Sequence, residues 1–217
     1  RLLITQAKDG GQTIYENCGI NVPGTALNLP AVTAEDEKLL EATVSFASLV
    51  EVSFVRTAQD MRDAVAMVRR VEQRSGRNVG IVVKLETLES MQNLPDILLE
   101  LMKHERVGVM VARGDMAAEL GIMHMVEAPR YVVNLCQAAQ LPVIIGSNIL
   151  ETLTDAGQPT RAEVTDAAWA QQAECVMLNH GKHMVETVEA VGALLSAMDG
   201  VQRKNQSLLP SLHEWKR

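Results

Sequence analysis

Short apolar runs return along the sequence at intervals of about 30 residues, and a segment with helical periodicity follows each run. Near-continuous runs of Val, Ile and Met that alternate with helices are typical of parallel strands buried on both faces. The sequence therefore predicts an α/β fold made of βα units, as in an open sheet or a closed barrel. The five runs are Ala47–Val55, Val79–Leu85, Val107–Ala112, Leu141–Gly146 and Glu174–Leu178.

The number of runs bears on whether the barrel is complete. Five βα units cannot close an eight-stranded barrel, and an open sheet of this size would expose both of its edges. The chain does not begin with Met, and residues 1–5 have the pattern of a strand that enters a turn at residues 9–11. We therefore expect part of a (β/α)8 TIM-type barrel from a longer protein.

The chain is predicted to have three parts. Residues 1–30 carry Gly, Pro and Asn punctuation and resemble the end of an inserted β subdomain with a linker. Residues 31–198 are predicted to form the partial barrel, with helices that open at Thr33 and at Thr160, where Glu163 completes a capping box. The polar segment 199–217 is expected to be a poorly packed C-terminal tail.

The overall charge excludes some classes of partner. With a formal net charge of −7 and no Lys/Arg-rich run, the chain is not expected to bind nucleic acid or an anionic membrane surface. No apolar stretch approaches the roughly 18 to 20 residues of a membrane span. The widely spaced Cys18, Cys136 and Cys175 are interpreted as reduced core thiols of a cytoplasmic protein.

Two charged residues mark the end of the second apolar run. Strand alternation sends Lys84 and Glu86 to one face and the intervening Leu85 to the other. The carboxyl ends of barrel strands are where active sites are built, which favours a functional reading. The alternative is that the strand simply reaches the surface here, with a solvated ion pair.

A carboxylate follows the next strand along the chain. Asp115 comes after Gly114 at the same end of the predicted barrel, where the carboxyl ends of the strands meet. Glu86 and Asp115 are therefore candidates to hold one Mg²⁺ or Mn²⁺ ion. Asp115 is alternatively the N-cap of a helix after a tight turn. Both readings are compatible, because backbone amides at Gly114 and Asp115 that open a helix would also attract an anion.

Three further places offer weaker signals. Ser147 follows the fourth strand and could cap a helix over 149–153 or hydrogen-bond a carboxylate. Ser53 and Arg56 follow the first strand and could reach the rim of the barrel. The histidines of the segment 179–183 are interpreted as part of a solvated loop.

Four motifs, taken in order and spacing, resemble the pyruvate kinase family. They are Val83–Met91, Met110–Asp115, Leu150–Thr152 and Pro159–Glu163. The resemblance extends upstream through Asn21–Gly24, Leu29–Ala31 and Ser53–Arg56, and so covers about residues 11–178. It implies that the chain runs from the end of the family's inserted β domain through strands four to eight of the barrel.

The resemblance implies a glycolytic phosphotransferase that moves a phosphoryl group from phosphoenolpyruvate to ADP and yields pyruvate and ATP. Lys84 matches the lysine that stabilises the transferring phosphoryl group and the enolate. Glu86 and Asp115 match the Mg²⁺ ligands. The amides of Gly114 and Asp115, with the hydroxyl of Ser147, match the groups that bind the substrate carboxylate. A homo-oligomer is expected for the full-length protein.

Some positions depart from the family pattern. Ser147-Asn148 stands where the family usually has Thr-Gln, and the segment 179–183 replaces its Ser-Gly-Glu-Thr loop. Trp169 lies near a position where the family tends to keep small or polar residues. The family's phosphate-binding Arg and its K⁺ ligands would lie outside this chain, and the isolated chain is expected not to turn over.

Two other functions remain open from the sequence. A metal held by Glu86 and Asp115 also suits an aldolase or lyase that stabilises a pyruvate enolate without a nucleotide. The divergent segment 179–183 also fits a barrel that binds phosphoenolpyruvate without catalysis. Lys84 is the discriminating residue, because a phosphotransferase needs a cation at the phosphoryl position.

Overall fold

The structure is a computed structural model that describes residues 9–11, 13, 15–16, 21–25 and 27–199. Its centre is a five-stranded parallel sheet in which strand order follows chain order. The strands are β1 (Leu49–Val52), β2 (Gly80–Leu85), β3 (Val107–Ala112), β4 (Val143–Gly146) and β5 (Cys175–Val176). The prediction of an α/β fold of five βα units is confirmed.

Helices follow the strands and cover the sheet. They are α1 (Ala34–Thr43), α2 (Ala58–Ser75), α3 (Leu88–Gln92), α4 (Leu94–Leu101), α5 (Arg113–Leu120), α6 (Ala128–Ala138), α7 (Glu151–Ala156), α8 (Arg161–Ala170) and α9 (Met184–Asp199), with a 3-10 helix over Ile122–Val126 before α6. None of the helices within these described ranges has the length and apolar character needed to cross a membrane.

The strands differ in how fully they are buried. Apart from the half-buried Lys84 and Val107, every residue of β2 and β3 is buried, as expected for strands covered on both faces. In β1 only Val52 is fully buried, and Leu49 is 57% exposed. β1 and β5 are shorter than the predicted runs, and they are the two edge strands of the sheet as far as the described residues go.

Capping residues fix where several helices begin. Thr33 and Thr160 each accept a hydrogen bond from the third helical residue, whose carboxylate accepts one in return, as the sequence predicts. Thr57 opens α2 in the same way, and α2 ends at Gly76 in the left-handed conformation that glycine adopts without strain. These caps set the direction in which each helix leaves the sheet.

One carboxylate joins α1 to α2. Glu37 accepts hydrogen bonds from the guanidinium groups of Arg70 and Arg74, each at 2.5 Å. The Arg70 hydrogen bond and then the Arg74 hydrogen bond lower the pKa of Glu37 from 4.5 to about 2. This three-residue contact lies on the outer surface of the βα layer and is structural.

Several expectations concern places where the structure differs or gives no description. Cys136 is buried as expected, but Cys175 is exposed because it lies in the edge strand β5, so the prediction of a core thiol is wrong there. Cys18 and most of the tail lie outside the described residues. The division at residues 30 and 198 stays a prediction.

Candidate functional site

Lys84 and Glu86 meet at the carboxyl end of β2. The Lys84 ammonium lies 2.9 Å from Glu86 Oε1 and donates a hydrogen bond to Ser53 Oγ at 3.2 Å. The Lys84 side chain is 22% exposed and the Glu86 side chain is 1% exposed. The pair is therefore not a solvated surface ion pair, because the carboxylate is removed from water and the ammonium is only partly open to it.

The Glu86 carboxylate is bound asymmetrically. Its Oε2 accepts a hydrogen bond of 2.6 Å from the amide of Phe54, which has a φ of 54°. A left-handed backbone is strained for a bulky residue, and here it turns the amide towards Glu86. Oε1 is buried and accepts no hydrogen bond of acceptable angles, although the Lys84 ammonium is close to it. The two oxygens thus differ in their surroundings, because Oε2 binds a backbone amide and Oε1 faces the Lys84 ammonium.

The helix after β3 begins earlier than expected. α5 starts at Arg113, directly after β3, and Ala112 occupies the N-cap position without a side-chain cap. Asp115 is therefore a residue of the first turn and not the N-cap, and no tight turn separates it from β3. The first amides of a helix have no intrahelical acceptor, so those of Gly114 and Asp115 keep the capacity to bind an anion.

Asp115 has a contact from the N-terminal segment. Its Oδ1 accepts a hydrogen bond of 3.3 Å from the side-chain amide of Asn21. Asn21 belongs to the stretch that the sequence interprets as a linker from an inserted subdomain. The strand pairing of Leu85 with Val111 puts Glu86 and Asp115 beyond the ends of adjacent strands.

Ser147 lies against the start of α5. A Cβ atom added to Gly114 would lie 3.1 Å from Ser147 Oγ, so a larger residue would require this hydroxyl to move by a few tenths of an ångström. The prediction that Ser147 caps the following helix is wrong. That helix, α7, starts at Glu151, because Asn148 and Leu150 have φ values of 61° and 51°, which helical residues do not adopt.

One ion pair that the sequence pattern did not indicate joins α5, α8 and the turn after β4 at the carboxyl ends of the strands. Arg113 donates to Asp166 Oδ1 at 2.6 Å and Oδ2 at 2.8 Å, and to the carbonyl oxygen of Ser147 at 2.8 Å. The partners are 53 and 34 residues away in the chain, so no local pattern indicates them. The only signal is a cation at the first position of a helix, where acidic residues are preferred.

Ser53 and Arg56, the two weaker candidates that follow β1, make different contacts. Ser53 reaches the site, where its hydroxyl accepts from Lys84. Arg56 instead donates to the carbonyl oxygens of Leu27 and Leu29. Arg56 therefore anchors the N-terminal segment to the barrel layer.

The divergent segment 179–183 is packed at one end. His180 is exposed, but the His183 ring lies 3.1 to 3.3 Å from where a Cβ on Gly157 would be, and its amide donates to the Thr154 carbonyl at 2.9 Å. His183 is thus partly packed, with 39% of its side chain exposed, whereas His180 is exposed as the sequence interpretation expects. The Arg130 guanidinium lies over the ring of the divergent Trp169, 5.7 Å from the ring centroid.

The family assignment follows from comparison with known proteins. Residues 2–188 match the sequence model of the family described as "Pyruvate kinase, barrel domain". The chain belongs to the pyruvate kinase family. This match covers the five strands and all four motifs, so the predicted family membership is confirmed.

Individual pyruvate kinases agree with the family match. The chain is 36% identical to pyruvate kinase of Leishmania mexicana over 184 residues, which are 82% of this chain and 35% of that protein. It is 37% identical to pyruvate kinase of Kluyveromyces lactis over 169 residues, 76% of this chain and 32% of that protein. The chain thus spans about a third of the length of the curated relatives that it matches.

A solved structure shows the same fold. The crystal structure of a pyruvate kinase from Cryptosporidium parvum superimposes with a TM-score of 0.76 at 26% identity and covers 84% of this chain and 38% of that one. Together with the five-stranded parallel sheet, this agreement confirms the prediction of a partial barrel of the pyruvate kinase type.

The donor set of this member of the pyruvate kinase family fits a hard divalent ion. Among the residues for which the structure gives coordinates, no group of three or more His, Cys, Asp or Glu side chains is arranged to hold a metal. Mg²⁺ needs no such group, since it is commonly held by one or two carboxylates together with water and substrate oxygens. The buried Oε1 of Glu86 has the Lys84 ammonium 2.9 Å away and accepts no hydrogen bond in the described structure, so it is the oxygen that could also face such an ion.

Proposed function

We propose that this chain forms part of a phosphotransferase that moves the phosphoryl group of phosphoenolpyruvate to ADP, giving pyruvate and ATP. The observation that carries the proposal is the Lys84–Glu86 pair, with a partly exposed ammonium above a buried carboxylate at the carboxyl end of β2. Family membership supports the reaction class. K⁺ dependence and a homo-oligomeric complete protein belong to the same proposal.

Lys84 has the properties needed to stabilise a developing negative charge. Its ammonium is fixed by the Glu86 carboxylate and the Ser53 hydroxyl, so it need not reorganise as charge develops on a nearby oxygen. Phosphoryl transfer is catalysed mainly by positioning and by such fixed charges. Lys84 also favours phosphotransfer over an aldolase or lyase reaction, which needs no cation at the phosphoryl position.

Glu86 and Asp115 would hold the divalent ion. When bound, that ion supplies positive charge to the phosphate and carboxylate oxygens of the substrate. The amide of Phe54 orients the Glu86 carboxylate through its 2.6 Å hydrogen bond. Asn21 orients the Asp115 carboxylate in the same manner from the N-terminal segment.

The substrate carboxylate would bind at the start of α5. The amides of Gly114 and Asp115 point out of the first turn, and the positive end of the helix dipole favours an anion there. The Ser147 hydroxyl, which lies beside Gly114, adds a third donor. These groups would fix the enol phosphate so that its phosphoryl group faces Lys84.

The test is a coupled assay on the complete protein that contains this chain, which follows pyruvate formation from phosphoenolpyruvate and ADP with Mg²⁺. Lys84→Met should lower kcat by about a hundredfold or more, the loss typical of removing one transition-state charge partner. Lys103→Met is the matched control, because Lys103 is 60% exposed and contacts Glu100 on the outer surface. Its activity should equal that of wild type.

Two results would contradict the proposal. A wild-type protein that forms no pyruvate but binds Mn²⁺ with Glu86-dependent affinity would favour the lyase or the non-catalytic binding function. Equal activity of Lys84→Met and wild type would remove Lys84 from the mechanism.

A further inference from the structure

We infer that Arg113 and Asp166 are positioning residues that set the distance between the two halves of the carboxylate-binding site. One half is the start of α5, with the amides of Gly114 and Asp115, and the other is the Ser147 hydroxyl. The inference rests on the proposed function, because it assigns the pair a role in binding phosphoenolpyruvate.

The geometry of the pair is that of a clamp. One terminal nitrogen of Arg113 contacts both oxygens of Asp166 at 2.6 and 2.8 Å, and the other donates to the Ser147 carbonyl at 2.8 Å. The Arg113 side chain is 15% exposed. A rigid, planar guanidinium with three short contacts holds its partners in one arrangement.

Two consecutive residues of α5 contact Ser147. Arg113 binds its carbonyl oxygen, and Gly114 lies so close to its hydroxyl that an added Cβ would be 3.1 Å away. The pairing of Gly146 with Ala112 keeps the two backbones adjacent, and the guanidinium adds the contact that fixes the orientation of the Ser147 peptide against the helix start. Without that contact, the hydroxyl and the amides would no longer converge on one anion.

Stability alone does not account for this arginine. A cation at the first position of a helix opposes the helix dipole. The Nε atom of Arg113 is buried without a hydrogen bond in the described structure, which adds a desolvation cost. Asp166 neutralises the charge, so the clamp orients the anion site without adding net positive charge to it.

The clamp also connects the site to α8. Asp166 lies in α8, and Glu163 of the same helix accepts a hydrogen bond of 2.6 Å from the Thr152 amide in α7. Hydrogen bonds therefore fix α8 to α5, which precedes the 147–150 turn in the chain, and to α7, which follows it. Loosening α8 should weaken substrate binding and leave the chemical step intact.

The experiment measures steady-state kinetics and phosphoenolpyruvate binding by calorimetry with Mg²⁺, on the complete protein. Asp166→Asn should raise KM for phosphoenolpyruvate about tenfold with kcat within about twofold of wild type. The reason is that the substrate carboxylate is bound equally in the ground and transition states. The Kd for phosphoenolpyruvate should rise by the same factor.

Second variants separate positioning from folding. Arg113→Lys keeps the charge but loses the planar fork, and should raise KM as Asp166→Asn does. The double variant should be no worse than either single variant, because both remove the same clamp. Glu100→Gln breaks the ion pair with Arg62 at 3.0 Å on the outer surface and should leave KM unchanged.

An Asp166→Asn protein with lower thermal stability but wild-type KM and Kd would overturn the inference, as would a fall in kcat at constant KM. A wild-type protein that forms no pyruvate, yet binds phosphoenolpyruvate more tightly than Asp166→Asn does, would refute phosphotransfer and support the clamp. Absence of binding to the wild type would refute both.

Discussion

The substitution Gly114→Ala should separate the stability of α5 from the function of its first turn. Gly114 is the second residue of α5, and an added Cβ would lie 3.1 Å from Ser147 Oγ and 3.9 Å from Asn148 Oδ1. The second contact is ordinary, whereas the first requires the hydroxyl to move by a few tenths of an ångström. The added methyl group therefore displaces one of the proposed donors to the substrate carboxylate.

Gly114→Ala should keep or raise the stability of the protein while it weakens substrate binding. Replacing glycine by alanine inside a helix stabilises by about 0.5–1 kcal/mol, and the single tight contact with Ser147 offsets part of that gain. The free energy of unfolding should therefore rise by between about 0 and 1 kcal/mol. KM for phosphoenolpyruvate should rise about tenfold, because loss of a hydrogen bond to a charged group costs roughly 1.5–3 kcal/mol.

The assay combines urea denaturation with the coupled kinetic assay. Gly192→Ala in α9 is the matched control, because an added Cβ there meets nothing within 4 Å. It should show the gain in stability with an unchanged KM. If Gly114→Ala also keeps the wild-type KM, the contact between Gly114 and Ser147 takes no part in substrate binding and the reasoning is refuted.

Two further predictions concern stability. Since the folded pKa of Glu37 is about 2 and its ordinary value is 4.5, its contacts with Arg70 and Arg74 should contribute fully above about pH 4.5 and be lost as pH falls towards 2. The difference in urea midpoint between wild type and Glu37→Gln should therefore shrink between about pH 6 and pH 3, and a constant difference would contradict the assignment. Thr160→Ala should lower the free energy of unfolding by about 1 kcal/mol through loss of the capping box with Glu163, whereas Thr160→Ser should not.

The sequence predicted most of the fold because buried parallel strands have a local signature. β3 has the bounds of its apolar run, and β2 differs from its run by one residue. The edge strands of the described sheet were predicted less well, since the paired length of β5 is set by its two-residue register with β4. An apolar run shows that a segment is suited to a strand, whereas its paired length depends on the neighbours that it finds.

The same distinction applies to the site. The neighbours Lys84 and Glu86 could be identified from strand alternation, and Gly114 with Asp115 from their place after a strand. The Arg113–Asp166 contact could not, because it joins residues 53 positions apart. The start of α7 was misplaced by two residues, because nothing in the apolar pattern indicates the left-handed backbone of Leu150.

The agreement of strand order with chain order has a consequence for how the molecule is made. Each strand from β2 to β5 pairs with the strand that precedes it in the sequence, and the first paired residues are between 26 and 34 positions apart. Every pairing therefore closes a loop of similar length at a similar entropic cost. A ribosome that releases the chain from its N-terminus can add one βα unit at a time to the growing sheet, without waiting for a distant partner.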